Sequence, residues 1–394
     1  MPDASAFQDL NFECLRNSMS SLTEPHNGTE ALSALPPMHM KLSLKLVSLG
    51  LVALVVLPLA VGSVYEVLSR NWAKAKYPPP GRLIDVGGRN IHLDCRGQGS
   101  PTVILEAGLD NYGTLSWAKV HDSVALLTRA CAYDRAGIMW SEPKATPQHA
   151  DAVAEDLRAV LTAAGEKGPL ILVGHSIGGP YSMAYTRKYG DEVAGLVFVD
   201  ASHPDQVARF AEVVNTPPDY INEAMQIASS LAWTGIIRLI ATADGVHDVP
   251  VRVTEKANAF TSTSLAAVMS ENMNVDRTLE EAGGLRTLGD RPLVVLTAMA
   301  PLGNDALNAE KMSRQEDTRR RDVWRKLHED EASWSTRSRH QLLPDSGHYI
   351  QFTRPDLVIA AVLEIVDQVR LENTGLGDLR RWQRALSASP AFHQ

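Results

Sequence analysis

Leu170-Ile171-Leu172-Val173-Gly174-His175-Ser176-Ile177-Gly178-Gly179 joins an apolar strand to the helix-forming segment Tyr181 to Tyr189. A serine with a glycine two residues away on either side, between strand and helix, is the pattern G-x-S-x-G in its meaningful context. The turn strains the backbone at Ser176 and leaves no room for side chains beside it, which is why glycine flanks it. The helix that follows aims its first amides and its dipole at the place where negative charge would develop. Ser176 is therefore the candidate nucleophile; the bland alternative is a solvent serine in a glycine-rich turn. His175 reads as a packing or positioning residue.

A serine hydroxyl is a poor nucleophile until a base takes its proton. Ser346-Gly347-His348-Tyr349 follows the last strand-like run, His340 to Leu343, and that position selects His348 from the twelve histidines. His203 is the rival, but it precedes Pro204 in a segment that also offers the acid. The acid must orient and charge-balance the imidazole, and two aspartates compete. Asp200 stands at the tip of the strand Leu196 to Val199, the edge where parallel sheets meet ligands, although it could merely cap the turn after it. Asp305 lies several residues beyond the next strand, Leu293 to Leu296. Two backbone donors would hold an oxyanion: the amide of Ile177 and that of Leu109, where Gly108 lets the loop turn inward. Glu106 is a structural residue of that loop.

Around these motifs, short apolar runs alternate with amphipathic helices. Arg82 to Val86 and Asn90 to Cys95 form a hairpin through Gly87-Gly88; Thr102 to Leu105 and Arg129 to Tyr133 are strands; Ala150 to Ala164 has helical spacing. Such alternation predicts a mostly parallel sheet covered on both faces. Between Ala201 and Arg291 the rhythm breaks into a helical interval too long for a crossover, which predicts a helical cap.

The N-terminal portion is of another kind. The first forty or so residues are mixed, polar and aperiodic; residues 1–45 read as a disordered or cytoplasmic N-terminal segment, and Met38 and Met40 are alternative starts to Met1. From Leu46 to Tyr65 no residue is charged, and twenty helical residues rise about 30 Å, the thickness of a bilayer core. Two readings compete: a retained membrane anchor, favoured by length, and a signal peptide cut near Ala60, Gly62 and Ser63. Lys41 and Lys45 precede the run, and Arg70, Lys74 and Lys76 follow it. The catalytic portion is expected outside the cytoplasm, anchored, or secreted or periplasmic if the helix is cleaved. Residues 66–80 read as linker, 81–200 and 292–370 as the two parts of the core, 201–291 as cap and 371–394 as a tail, weakly helical from Asp378 to Leu386.

Of the 394 residues, 44% are hydrophobic and 21% charged, a globular composition, and the net charge of -8 argues against a nucleic-acid surface. The basic run Arg319-Arg320-Arg321 with Arg325 and Lys326 is interleaved with acids and reads as a solvated helix face. Cys14, Cys95 and Cys131 have no metal or redox spacing, and no metal or organic cofactor is implied.

From Gly81 to Val369 the sequence resembles the α/β-hydrolase superfamily, in its bacterial serine esterase branch. The resemblance rests on Gly97-Gln98-Gly99-Ser100-Pro101-Thr102-Val103, Tyr133-Asp134-Arg135-Ala136-Gly137, Gly174 to Gly179, Val199-Asp200-Ala201-Ser202-His203-Pro204 and Ser346 to Tyr349, in that order. It implies an eight-stranded, mostly parallel α/β sheet with the cap inserted after the sixth strand. It also implies an acid after the sixth or the seventh strand; Thr297-Ala298-Met299-Ala300-Pro301 lacks the seventh-strand pattern, which supports Asp200. In such a sheet the second and fourth strands are antiparallel neighbours, so a Cys95–Cys131 disulfide is a hypothesis. The expected chemistry is hydrolysis of small to medium, apolar carboxylic esters. Amide or peptide cleavage, C–C bond hydrolysis, a ligand-binding protein without turnover and a membrane-tethered interaction protein are the rivals. The cap residues Leu231, Trp233, Ile236, Ile237, Leu239, Ile240, Phe260 and Met269 read equally as cap packing or as the lining of an apolar substrate site.

Overall fold

Eight strands form one sheet in the order β1-β2-β4-β3-β5-β6-β7-β8. The structure, a computed structural model, describes residues 37–213, 223–240 and 248–374. The strands are β1 (Arg82–Asp85), β2 (Asn90–Arg96), β3 (Thr102–Glu106), β4 (Arg129–Tyr133), β5 (Leu170–His175), β6 (Val193–Val199), β7 (Leu293–Ala298) and β8 (Ser338–Leu343). Only β2 runs against the rest. β3 and β5 are buried along their whole length, because helices cover both faces of the sheet. One face packs under Ala150–Ala164 and Gly178–Tyr189, the other under His121–Ala125 and Pro355–Asn373.

β8 begins at Ser338, earlier than hydrophobicity suggests. It is an edge strand held by its backbone ladder to β7, so its polar residues remain half-exposed. Cys95 and Cys131 are paired in register across β2 and β4, with Cα atoms 4.0 Å apart, and form a disulfide.

Between β6 and β7 the described residues are helical, the longest helix being Val251–Met273. The eight cap residues divide: Ile237, Phe260 and Met269 are buried, whereas Leu231, Trp233, Ile236 and Leu239 face outward. The burial of Ile240 lies outside the described residues.

The N-terminal helix runs from Pro37 to Lys76, past the expected span at both ends. Residues 66–76, expected to be linker, are helix because their inner face docks on the cap: Glu66 and Ala73 are buried there. Residues 1–36 and the weakly helical tail segment lie outside the described residues. In the basic run, Arg320 pairs with Glu310 at the end of the preceding helix, and Arg321 and Arg325 pair with Asp317 and Glu329 along the helix Arg314–Ser333.

Of the three cysteines two are joined, so denatured and unreduced protein should titrate one thiol per chain, that of Cys14. Three thiols by a chromogenic disulfide reagent would contradict the pairing.

Candidate active site

The carboxyl ends of β3, β5 and β6, with the loops after β7 and β8, converge on Ser176. Its φ is +53°, in the left-handed region that a non-glycine residue enters only when its surroundings hold it. The chain is held there by backbone contacts: the Ser202 amide donates to the Ser176 carbonyl at 2.9 Å, and the Ser176 amide donates to Val199 at 3.3 Å. A Cβ at Gly174 would lie 2.5 Å from the Gly178 carbonyl oxygen, and one at Gly178 would lie 2.6 Å from that of Glu106. The flanking glycines are therefore a packing requirement. Ile177 is the N-cap of the helix Gly178–Tyr189, so the helix dipole points at the serine.

His348 sits in the loop after β8, and its Nδ1 lies 2.7 Å from Asp200 Oδ2. Asp200 also has a positive φ, +45°. Its other oxygen accepts from the Ala298 amide and from Trp324 Nε1–H, both at 2.8 Å. With Oδ1 occupied, Oδ2 is left for the imidazole. His348 Nε2 is buried with no hydrogen-bond partner among the described residues. Burial holds this imidazole well below its usual range, so it is a neutral base near pH 7. His175 donates from Nε2 to the His348 carbonyl at 3.0 Å, and the two rings lie 4.7 Å apart. Burial keeps His175 neutral as well, which fits a positioning role.

The other candidates lie elsewhere. Asp305 is exposed in the first turn of the helix Asn304–Ala309. His203 pairs with Asp330 at 2.9 Å. The Glu106–Leu109 loop passes against the serine: a Cβ on Gly108 would lie 3.2 Å from Ser176 Cβ and 2.7 Å from His175 Nδ1.

What holds that loop is a buried guanidinium. Arg135 donates from Nη1 to the Ala107 carbonyl at 2.8 Å and from Nη2 to the Gly108 carbonyl at 2.7 Å. Its charge is matched by Glu106 at 2.9 Å and by Glu271 of the cap, which it meets with two nitrogens at 2.7 and 2.8 Å. Tyr133 donates to the free oxygen of Glu106 at 2.5 Å, and the guanidinium lies over the Tyr181 ring. Burial pushes Glu106 up to about 7, partly countered by Arg135. Asp110, the residue after Leu109, is likewise pushed up to about 7 by burial and accepts from the Tyr112 amide at 2.8 Å. Glu106 is thus held at both oxygens by Tyr133 and Arg135. Arg135, Glu271 and Trp324 were not read from the sequence. Arg135 lies within Tyr133-Asp134-Arg135-Ala136-Gly137, but nothing local to Glu271 or Trp324 marks their partners.

The sequence model of the alpha/beta hydrolase fold family matches residues 101–235. Over 168 residues the chain is 28% identical to an uncharacterized protein, YbdG, of Bacillus subtilis, covering 42% of this chain and 52% of that one. Over 99 residues it is 35% identical to the lipase LipV of Mycobacterium tuberculosis, covering 24% of this chain and 38% of that one. The chain thus spans about half or less of these relatives' length. Among solved structures, an enol-lactonase from Burkholderia xenovorans superimposes with a TM-score of 0.51 at 18% identity, covering 73% of this chain and 100% of that chain. The likeness establishes the fold.

Glu271→Ala leaves Arg135 buried with half its counter-charge and should lower stability by about 3–5 kcal/mol. A urea midpoint shift equivalent to under about 1 kcal/mol would mean Glu106 suffices. His328, fully buried, donates to the Ala201 carbonyl, and burial lowers its pKa to about 4. The unfolded chain takes up that proton near pH 6.5 and the folded chain only near 4, so stability should fall as pH drops between these values. Urea unfolding at pH 7 and pH 5 measures the loss.

Proposed function

We propose that this chain, an α/β-hydrolase by fold, is a serine hydrolase that cleaves small to medium, apolar carboxylic esters through an acyl-enzyme on Ser176. The observation that carries the reading is the 2.7 Å contact of His348 Nδ1 with Asp200, which leaves Nε2 of the same ring buried and without a hydrogen-bond partner among the described residues. The 35% identity to a lipase over 99 residues is consistent with an ester substrate.

In this reading the chemistry follows from the roles of the groups. His348 Nε2 accepts the Ser176 proton as Oγ attacks the ester carbonyl. Asp200 stabilises the imidazolium and fixes the tautomer with the proton on Nδ1. The amides of Ile177 and Leu109 hold the oxyanion, and the helix dipole behind Ile177 adds to their field. The tetrahedral intermediate collapses as His348 protonates the leaving alcohol. Water then gives a proton to His348 as it attacks the acyl carbonyl, and His348 returns that proton to Oγ as the acyl–Oγ bond breaks, releasing the acid and free Ser176. In this reading Arg135 touches no reacting atom; it is a positioning residue whose two bonds to the Ala107 and Gly108 carbonyls fix the peptide that carries the Leu109 amide.

We assign the N-terminal helix as a retained membrane anchor with the hydrolase portion outside the cytoplasm. Lys45–Lys76 is long and apolar enough to cross a membrane. The Cys95–Cys131 disulfide suits an oxidising compartment.

Fluorophosphonate labelling with p-nitrophenyl ester hydrolysis tests the assignment. Wild type should label and turn over, and Ser176→Ala should lose the label and about five or six decades of rate. Because burial lowers the His348 pKa, the acid limb of kcat/KM should have its midpoint below the unperturbed value of about 6.5. A folded wild type that neither labels nor hydrolyses would favour a ligand-binding protein.

A further inference from the structure

We infer that the cap segment Ile227–Ile240 is a second membrane contact, seated in the same bilayer face that the N-terminal helix enters. The inference rests on the anchor assignment and extends it to a surface of the hydrolase portion itself.

Three observations carry it. The first is chemical. Across IASSLAWTGIIRLI, residues 227–240, the only charged side chain is Arg238. Within this run Trp233, Ile236 and Leu239 are 53%, 46% and 67% exposed, and Ile227 and Leu231 are exposed with them. Five large apolar side chains exposed within one short segment mark a contact with another apolar phase.

The second is neutralisation. Arg238 turns away from this surface and meets Glu66 of the N-terminal helix, with Nε 3.0 Å from the carboxylate. Glu66 is buried and also accepts from Ser262 and Arg70 at 2.5 and 2.6 Å. The one charge of the segment is therefore satisfied internally and leaves its outer surface apolar.

The third is depth. Gly62 meets the cap backbone so closely that a Cβ there would lie 2.1 Å from the Thr234 carbonyl oxygen, and one at Gly235 would lie 2.7 Å from the Gly62 carbonyl oxygen. Gly62 is three residues inside the end of the uncharged run at Tyr65, which is about 4.5 Å along a helix axis. A helix that fills the hydrocarbon from Leu46 to Tyr65 thus carries Thr234 and its neighbours at the boundary between acyl chains and headgroups. Trp233 is placed where tryptophan partitions best, and Ile236 and Leu239 extend the apolar contact in the manner of an interfacial helix.

The test uses the full chain with Cys14→Ser, reconstituted in phosphatidylcholine nanodiscs. Single cysteines are introduced at Trp233, Ile236 or Leu239 and carry a nitroxide label. Val55 in the helix and Leu126, exposed on the hydrolase portion, serve as lipid and water references. Collision rates with oxygen and with a water-soluble nickel chelate give the depth of each label, and thermal melting checks that each variant is folded. Labels at the three cap positions should favour oxygen as Val55 does, whereas Leu126 should favour the chelate. Cap labels that behave like Leu126 while Val55 behaves as lipid-embedded would overturn the inference and leave the anchor standing. A Val55 label open to the chelate would sink the anchor assignment and the inference together. Dipolar broadening in discs holding two copies, absent from discs holding one, would place a second chain on the patch and overturn the inference.

Discussion

The site depends on one constraint, the left-handed backbone at Ser176. A side chain at φ +53° is strained, and the strain persists only where neighbouring elements over-determine it. Here the backbones of β3, β5 and the helix Gly178–Tyr189 approach so closely that Gly174 and Gly178 have no room for a Cβ. The same approach brings the Glu106–Leu109 loop against the serine, so the constraint that lifts Ser176 out of its strand also brings the candidate oxyanion loop alongside it.

A loop beside a strained turn needs support of its own, and the support is electrostatic. Arg135, Glu106 and Glu271 form a fully buried group in which one cation faces two carboxylates. Taking such charges out of water is costly and is offset only when hydrogen bonds use up their remaining valences. They do so here. Arg135 uses Nε, Nη1 and Nη2, and Tyr133 supplies the second oxygen of Glu106. Two of the bonds go to the carbonyls of Ala107 and Gly108, so the network that stabilises the interior also sets the direction of the loop.

The parts legible in the sequence were those whose physics is local. The strand, glycine turn and helix around Ser176 were legible because they are adjacent in the chain, whereas position alone left Asp200 and Asp305 competing as the partner of His348, and the structure places Asp200 against it. Glu271 and Trp324 were not legible. Each lies on a long helix whose pattern records amphipathicity and says nothing of a single bond across the fold. Trp324 is embedded in the charged helix Arg314–Ser333, where the solvated face dominated the reading, yet its indole is buried against Asp200. The extended N-terminal helix was missed for a related reason. Charges at Glu66, Arg70 and Lys74 look like the end of a membrane span, although Glu66 is buried in a tertiary ion pair. Hydropathy cannot distinguish a solvated charge from a docked one.

The long cap helix Val251–Met273 joins the two regions of the molecule. Near its middle, Ser262 donates to Glu66 and the Ala259 carbonyl accepts from Arg238, which fixes it to the N-terminal helix. Toward its end, Glu271 grips Arg135. Nine residues separate Ser262 from Glu271, about 13–14 Å of continuous helix, and a regular helix resists compression along that length. Arg135 in turn holds the carbonyls beside Leu109, so the docking of the N-terminal helix and the direction of the candidate oxyanion loop are set through one rigid element. A rotation of the cap relative to the core must therefore break the Glu66–Arg238 or the Glu271–Arg135 pairing, or carry both ends together. Substrate entry that required the cap to lift away from the core would separate two carboxylate–guanidinium bonds at Glu271. The same network thus resists cap opening and positions the site beneath it.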